Sequence, residues 1–167
     1  RTLYCGSFSK TLAPGLRVGW ICGAAPVISQ LVLMKQAADL HSSTLNQMAI
    51  ATVAEDIFAE HTIKLRKTYS ARRDGMLKSL ETHMPDGVEW TKPEGGMFVW
   101  VTLPKHLDGG ELLRQSLETQ RVAFVPGQAF FADGSGANTL RLAFSLADDA
   151  MIDEGVKRLA TVIRAAG

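Results

Sequence analysis

The spacing of apolar residues changes period at Pro85-Asp86-Gly87, and this switch constrains the fold of the 167-residue chain more than any other feature. Upstream, Met76, Leu77, Leu80 and Met84 recur at three- and four-residue intervals, the spacing of one helix face. Downstream, residues 88–90 and 97–103 read as strands, and 110–120 as a helix with Leu112, Leu113 and Leu117 on its apolar side. Residues 122–125 and 139–145 read as two more strands. The last helix covers 148–165, with Ile152, Val156, Leu159, Ala160 and Ile163 on one face and Asp148 and Asp149 suiting its N-terminus. A β-β-α-β-β-α order is enough for a small α+β sandwich with its own core.

The chain before the switch reads differently. Residues 1–5 look like the end of a buried strand, 7–15 like a polar loop, and 16–23 like a second buried strand bounded by glycines. Pro26 opens a helix, a position where its missing N–H costs nothing. Thr44 and Gln47 form a capping-box pattern ahead of a mostly apolar helix through Met48, Val53 and Ile57. A charged amphipathic helix follows over 61–84. Two strands do not make a stable sheet. This part therefore reads as the end of a larger α/β layer whose true N-terminus lies upstream of Arg1. The expected organisation is 1–60, a connecting helix over 61–84, and a second domain over 85–167.

Bulk properties exclude several functions. The net charge of +1 gives no electrostatic case for nucleic acid or a membrane surface. Cys5 and Cys22 sit in strand-like runs with no metal or redox spacing, so they read as buried thiols, and the cytoplasm is the natural compartment. No metal site is expected. His41 and His106 have no carboxylate or second histidine at ligand spacing and read as structural or surface residues; His61 and His83 are expected to be solvated on the charged helix.

The stretch 7–20 carries the chemistry. Ser7 and Ser9 precede Lys10 at alternate positions, and Gly15 and Arg17 follow at the start of the next strand. A lysine in such apolar surroundings needs a reason. Pyridoxal phosphate fits the whole set, since it requires an amine for its aldehyde and an anion site for its phosphate. Lys10 supplies the amine, burial favouring its neutral form. Arg17 offers a fork of donors, Ser7 and Ser9 offer hydroxyls, and Gly15 lets the backbone approach. Farther on, Arg141 lies between Leu140 and Leu142, where a cation is costly unless paired, either by a structural carboxylate or by a bound one. Phe98, Trp100 and Phe130 read as core residues rather than as a cage around a substrate.

This pattern, S-x-S-K followed by G-L-R-x-G with Arg17 seven residues after Lys10, closely resembles the Schiff-base segment of fold-type-I aminotransferases. The nearest resemblance is to the 2-aminoadipate and kynurenine aminotransferase group and to the aminotransferase-like half of MocR regulators. Residues 39–47, 92–100, 125–130 and 138–145 resemble further family segments in the family's order. The resemblance implies an α/β fold: the C-terminal strands and helices of the large pyridoxal-phosphate-binding domain, followed by a small α+β sandwich C-terminal domain. It implies transamination between an amino acid and a 2-oxo acid. Lys10 would be catalytic and carry the cofactor, Ser7, Ser9 and Arg17 would bind its phosphate, and Arg141 would hold the substrate carboxylate. It also implies a homodimer, with 39–47 near the dimer interface.

Two other readings share some of these residues. Ser7-x-x-Lys10 matches the S-x-x-K of serine acyl-transferases, but S-D-N and K-T-G are absent and Pro14-Gly15 follows too soon for the required helix. A MocR/GntR-type regulator would use the same residues as a cofactor-binding effector domain. Under either family reading, the 167 residues alone are expected to bind cofactor weakly and not turn over, because ring-stacking and pyridine-nitrogen partners lie outside them.

Overall fold

A computed structural model describes residues 2–167, which fall into two compact units that divide between Arg66 and Lys67. Their elements run β1 (Tyr4–Ser7), β2 (Gly19–Cys22), α1 (Ala25–Ala38) and α2 (Thr44–His83), then β3 (Glu89–Trp90), β4 (Phe98–Thr102), α3 (Gly109–Thr119), β5 (Val125–Pro126), β6 (Thr139–Ala143) and α4 (Asp149–Ala166). Helices and strands mix as an α/β chain should. Among the described residues, no helix is long and apolar enough to cross a membrane, and no cluster of ligating side chains could hold a metal ion.

In the first unit, β1 and β2 form an antiparallel ribbon with Tyr4 opposite Cys22 and Ser7 opposite Gly19. Both strands are largely exposed, and so are Cys5 and Cys22, contrary to the expectation of buried strands and thiols. A two-stranded ribbon has two faces and nothing within this unit covers either. Pro26 sits in the first turn of α1, as its residue type requires. The cap of α2 lies one residue before the expected one: Asn46 N–H donates to Ser43 Oγ at 3.4 Å, and Gln47 Nε2 donates to the Ser42 carbonyl at 2.8 Å. Among the described residues of this unit, only Ile50 counts as core, at 5% exposure.

The α2 helix is one continuous element of 40 residues rather than two, about 60 Å long at 1.5 Å per residue. The expected break near residue 60 does not occur. Phe58-Ala59-Glu60 contains no glycine or proline, and Thr62 Oγ1 back-bonds to the carbonyls of Phe58 and Ala59, which a helix tolerates.

The second unit is a four-stranded antiparallel sheet of order β3-β4-β6-β5. Pairing of Phe98 with Ala143 through Thr102 with Thr139 sets the β4–β6 register. Side chains alternate across a strand, so Val99, Val101, Leu140 and Leu142 point one way and are buried. Against them lie Met76 and Leu80 from α2, Leu112 from α3, and Ile152, Val156, Leu159 and Ile163 from α4. The helices thus cover one face, the two-layer arrangement expected of the sandwich. Asp108 caps α3 by accepting from Gly110 N and Glu111 N, and Asp148 caps α4 by accepting from Met151 N.

The expected strand over 122–125 shrinks to Val125–Pro126. Arg121 turns the chain at φ 55°, and Val122 N–H donates back to the Ser116 carbonyl at 3.3 Å, so the chain leaves α3 as a cap rather than as a ladder. His83 is not simply solvated: its Nε2 lies 3.0 Å from Asp153 Oδ1, which also accepts from Ser79 Oγ at 2.6 Å.

Leu80 is fully buried, so Leu80→Ala should lower unfolding stability by about 2–5 kcal/mol in chemical denaturation. Asp153 is held below the usual aspartate value of 3.8 by the Ser79 hydroxyl first and by His83 second. A depressed folded pKa gives stability that is present above the unfolded value and lost as the pH falls through the folded one. Asp153→Asn should therefore flatten the stability profile below about pH 4, read from thermal melts across an acid series.

Candidate functional site

In the first unit the loop between β1 and β2 gathers the predicted anion-binding groups. Phe8 N–H donates to the Val18 carbonyl at 3.1 Å and closes the loop, while Leu12 N–H donates back to the Phe8 carbonyl at 2.8 Å and makes a tight turn around Lys10. Ser9 N–H donates to Ser7 Oγ at 3.1 Å, and the Ser7 hydroxyl donates to the Ser9 hydroxyl at 2.9 Å. The two hydroxyls do converge, as alternate positions suggested. Lys10 follows them directly and is exposed, not buried as its apolar neighbours implied. Among the described residues its ammonium has no hydrogen-bond or ion-pair partner.

Arg17 adopts the left-handed region, φ 51° and ψ 38°, at the end of a 3-10 turn over Pro14–Leu16. Such a conformation costs a non-glycine residue about 1–2 kcal/mol and persists only where the surroundings impose it. Here Arg17 N–H bonds the Pro14 carbonyl at 3.4 Å, and its guanidinium Nη1 donates to the same oxygen at 3.1 Å. One of five guanidinium donors is used in this way, which leaves a fork for an anion.

Two residues beside this loop and one within it carry signals of a different kind. Asn46, at the start of α2, donates from Nδ2 to the Leu16 carbonyl at 3.0 Å and pins the backbone next to Arg17. Its role had no sequence signature, since a loop carbonyl 30 positions away cannot be read from spacing. Gly6 is required by Trp20: a Cβ there would stand 2.3 Å from the indole, which lies edge-on to Tyr4 at 5.0 Å between centroids. Among the described residues Gly15 meets nothing within 4 Å, so no contact there explains it.

The second unit places Arg141 on the sheet face away from the helices, opposite Trp100 on β4 and Val125 on β5. The side chain is half-buried, and its guanidinium carbon lies over the ring of Phe98 at 4.0 Å and over that of Phe130 at 4.7 Å. Among the described residues no carboxylate pairs with it, so the structural ion pair does not form. Phe98 and Phe130 are 40% and 50% exposed and belong to this open face, not to the core. For Phe98 the reason is parity: it and Trp100 alternate with the buried Val99 and Val101. Trp100 meets Phe130 edge-on at 5.5 Å.

Among the described residues the chemistry available is therefore an exposed amine beside converging hydroxyls and an open guanidinium fork in one unit, and a guanidinium ringed by aromatics with no carboxylate partner in the other. Comparison with known proteins is consistent with this. The family model for aminotransferase class I and II matches residues 1–159. The aromatic-amino-acid aminotransferase 1 of Thermococcus litoralis is 47% identical over 165 residues, 98% of this chain and 39% of that protein. The crystal structure of LysN, the alpha-aminoadipate aminotransferase from Thermus thermophilus complexed with N-(5'-phosphopyridoxyl)-L-leucine, superposes with a TM-score of 0.93 at 44% identity, over 98% of this chain and 42% of that one. An uncharacterized HTH-type transcriptional regulator of Bacillus subtilis, YisV, is 37% identical over 97% of this chain and 33% of its own length. The chain spans about two fifths or less of the curated relatives it matches.

Because the Gly6 contact sets the ribbon's aromatic pair, Gly6→Ala should displace the indole and remove the near-UV circular dichroism contributed by Trp20. Trp20→Phe gives the reference spectrum, and an unchanged Gly6→Ala spectrum would contradict the contact.

Proposed function

The chain belongs to the class I and II aminotransferases, and on that premise we propose that it supplies the lysine-bearing part of a pyridoxal-phosphate-dependent transaminase acting between an amino acid and a 2-oxo acid. The observation that carries this reading is the loop of the first unit, where the Ser7 and Ser9 hydroxyls meet at 2.9 Å beside Lys10, whose ammonium has no partner among the described residues. The donor set suits the cofactor: an amine for an aldehyde, and two hydroxyls with a guanidinium fork for a phosphate dianion. Ser7, Ser9 and Arg17 would hold the phosphate, and Lys10 would hold the aldehyde carbon. When bound, the cofactor supplies an electron sink for a carbanion at the substrate Cα.

The protein's own groups do the rest. Lys10 Nζ is the base that takes the proton from the substrate Cα and the acid that returns one. Arg141 binds the α-carboxylate with two parallel N–H donors, which fixes the orientation of the Cα–H bond. Its lack of a carboxylate partner among the described residues supports this role, since an internal ion pair would occupy the same donors. Residues 1–60 read as the end of the large cofactor domain, 61–84 as the connecting helix and 85–167 as the small C-terminal domain. The exposed apolar side chains of the first unit, among them Leu33, Met34, Leu45 and Met48, support a homodimer that covers them. A cytoplasmic location accords with a family of soluble enzymes. By itself the chain would hold the cofactor weakly and not turn over.

A second reading is favoured by one finding, the 37% identity to an HTH-type regulator. There the same loop would bind the cofactor in an effector domain. Identities of 47% and 44% to enzymes weigh toward catalysis.

Reduction with borohydride after loading the full-length protein with pyridoxal phosphate should fix the label on the peptide containing Lys10. Lys10→Ala should abolish both label and turnover, whereas Arg141→Ala should raise the amino-acid KM by about tenfold or more, the loss of a charged hydrogen-bond pair. Label on another lysine, or normal turnover by Lys10→Ala, would overturn the assignment.

A further inference from the structure

Arg141 is held in an unusual way for a half-buried cation. Among the described residues its five guanidinium donors meet no carboxylate and no carbonyl, yet its central carbon lies over two aromatic rings, at 4.0 Å from the Phe98 centroid and 4.7 Å from the Phe130 centroid. We propose that Phe98 and Phe130 are positioning residues: their rings fix the Arg141 guanidinium through its π faces and leave its N–H edge to the substrate carboxylate. The inference rests on the carboxylate-binding reading of Arg141 and adds what makes that binding possible.

Two requirements conflict at such a site. A long flexible side chain must be immobilised, or its ordering weakens every bond it makes. Immobilising it with an aspartate or glutamate would occupy the same donors that the ligand needs and would turn binding into an exchange of one carboxylate for another. Ring faces avoid the conflict. They attract the cation through the quadrupole, contact only the planar face, and leave the in-plane donors open. They also exclude water from that face, so a carboxylate at the edge meets a less solvated partner.

The surrounding structure is built to place both rings. Phe98 is fixed by the β4–β6 register, which puts it on the same face as Arg141 by strand parity. Phe130 comes from a 3-10 turn, Gly127–Phe130, laid flat on β6. That approach needs glycine: a Cβ at Gly127 would stand 1.9 Å from Thr139 Oγ1 and 2.9 Å from Trp100 Cζ2. Trp100, itself opposite Arg141, then braces Phe130 edge-on at 5.5 Å and Phe131 at 6.0 Å.

The test uses the full-length protein loaded with cofactor. Phe98→Leu and Phe130→Leu keep apolar volume but remove a ring, and each should raise KM for both amino acid and 2-oxo acid by about 3- to 30-fold, the range of a partly desolvated cation–π contact. The kcat should stay within about twofold and the cofactor spectrum unchanged, because the lost interaction positions the carboxylate and does not move the proton. Phe130→Tyr, which keeps the ring, should recover most of the affinity. A second readout needs no turnover: in the wild-type protein the Arg141 Nε–Hε resonance should lie upfield from ring currents and move downfield in either Leu variant. An ordinary Arg141 shift in the wild type, or Leu variants with wild-type KM, would overturn the proposal. Arg141→Lys separates the two levels. If it leaves KM unaltered, the carboxylate reading itself fails; if it raises KM and the Leu variants do not, only the positioning role fails.

Discussion

Pairing of β4 with β6 is the constraint on which the second unit depends. Five residue pairs in register bury Val99, Val101, Leu140 and Leu142 against α2, α3 and α4. The same pairing sends Phe98, Trp100 and Arg141 to the other face. A slip of one residue would exchange the two sets, placing a guanidinium in the core and four aliphatic side chains in water. Core and open face are thus specified by one pattern, and the buried face is what makes the open face reproducible. The short edge strands serve this arrangement too. β5 ends on Pro126, which has no N–H to offer an incoming strand, and hands the chain to the turn that carries Phe130.

The first unit solves a different problem. Its loop between β1 and β2 has little core beneath it, yet it holds a serine pair, a lysine and an arginine in one stretch of chain. Short-range hydrogen bonds hold most of it: Ser9 to Ser7, Leu12 to Phe8, Arg17 to Pro14, with Asn46 reaching in from α2. The left-handed Arg17 is the strained member. Its strain is set against two bonds to one carbonyl, and the remaining donors stay open. A loop stabilised mainly from within can present charged groups without surrounding them, which suits the phosphate-binding role proposed for it.

Much of this was legible from residue order because it rests on local rules. Helix faces follow from spacing, so Leu80, Leu112, Ile152, Val156, Leu159 and Ile163 were placed in the core correctly. Convergence of the Ser7 and Ser9 hydroxyls followed from their alternate positions. Local rules failed where a competing contact came from elsewhere in the chain. The strand expected over 122–125 lost to a cap on α3, and His83 found Asp153 from α4, 70 positions away. The expected break near residue 60 failed for another reason, the change from apolar to charged residues being a change of surroundings and not of backbone. Phe98 and Phe130 were assigned to the core because aromatic residues usually go there. Strand parity against Val99 and Val101 could have corrected Phe98, but Phe130 lies on a turn and has no parity.

By itself the sequence determined the family and the two-layer order of the second unit, and it offered Lys10 as the candidate reactive lysine with Ser7, Ser9 and Arg17 as candidate phosphate-binding companions. These are encoded in residue types at fixed short spacings, which the backbone's own geometry converts into position. Only the tertiary structure decided what surrounds each group. It left Lys10, Cys5 and Cys22 exposed, joined two expected helices into one, and set Arg141 over two rings with no carboxylate beside it among the described residues. Burial and pairing depend on which distant segments arrive at a site, and that is fixed by packing of the whole unit rather than by any window of residues.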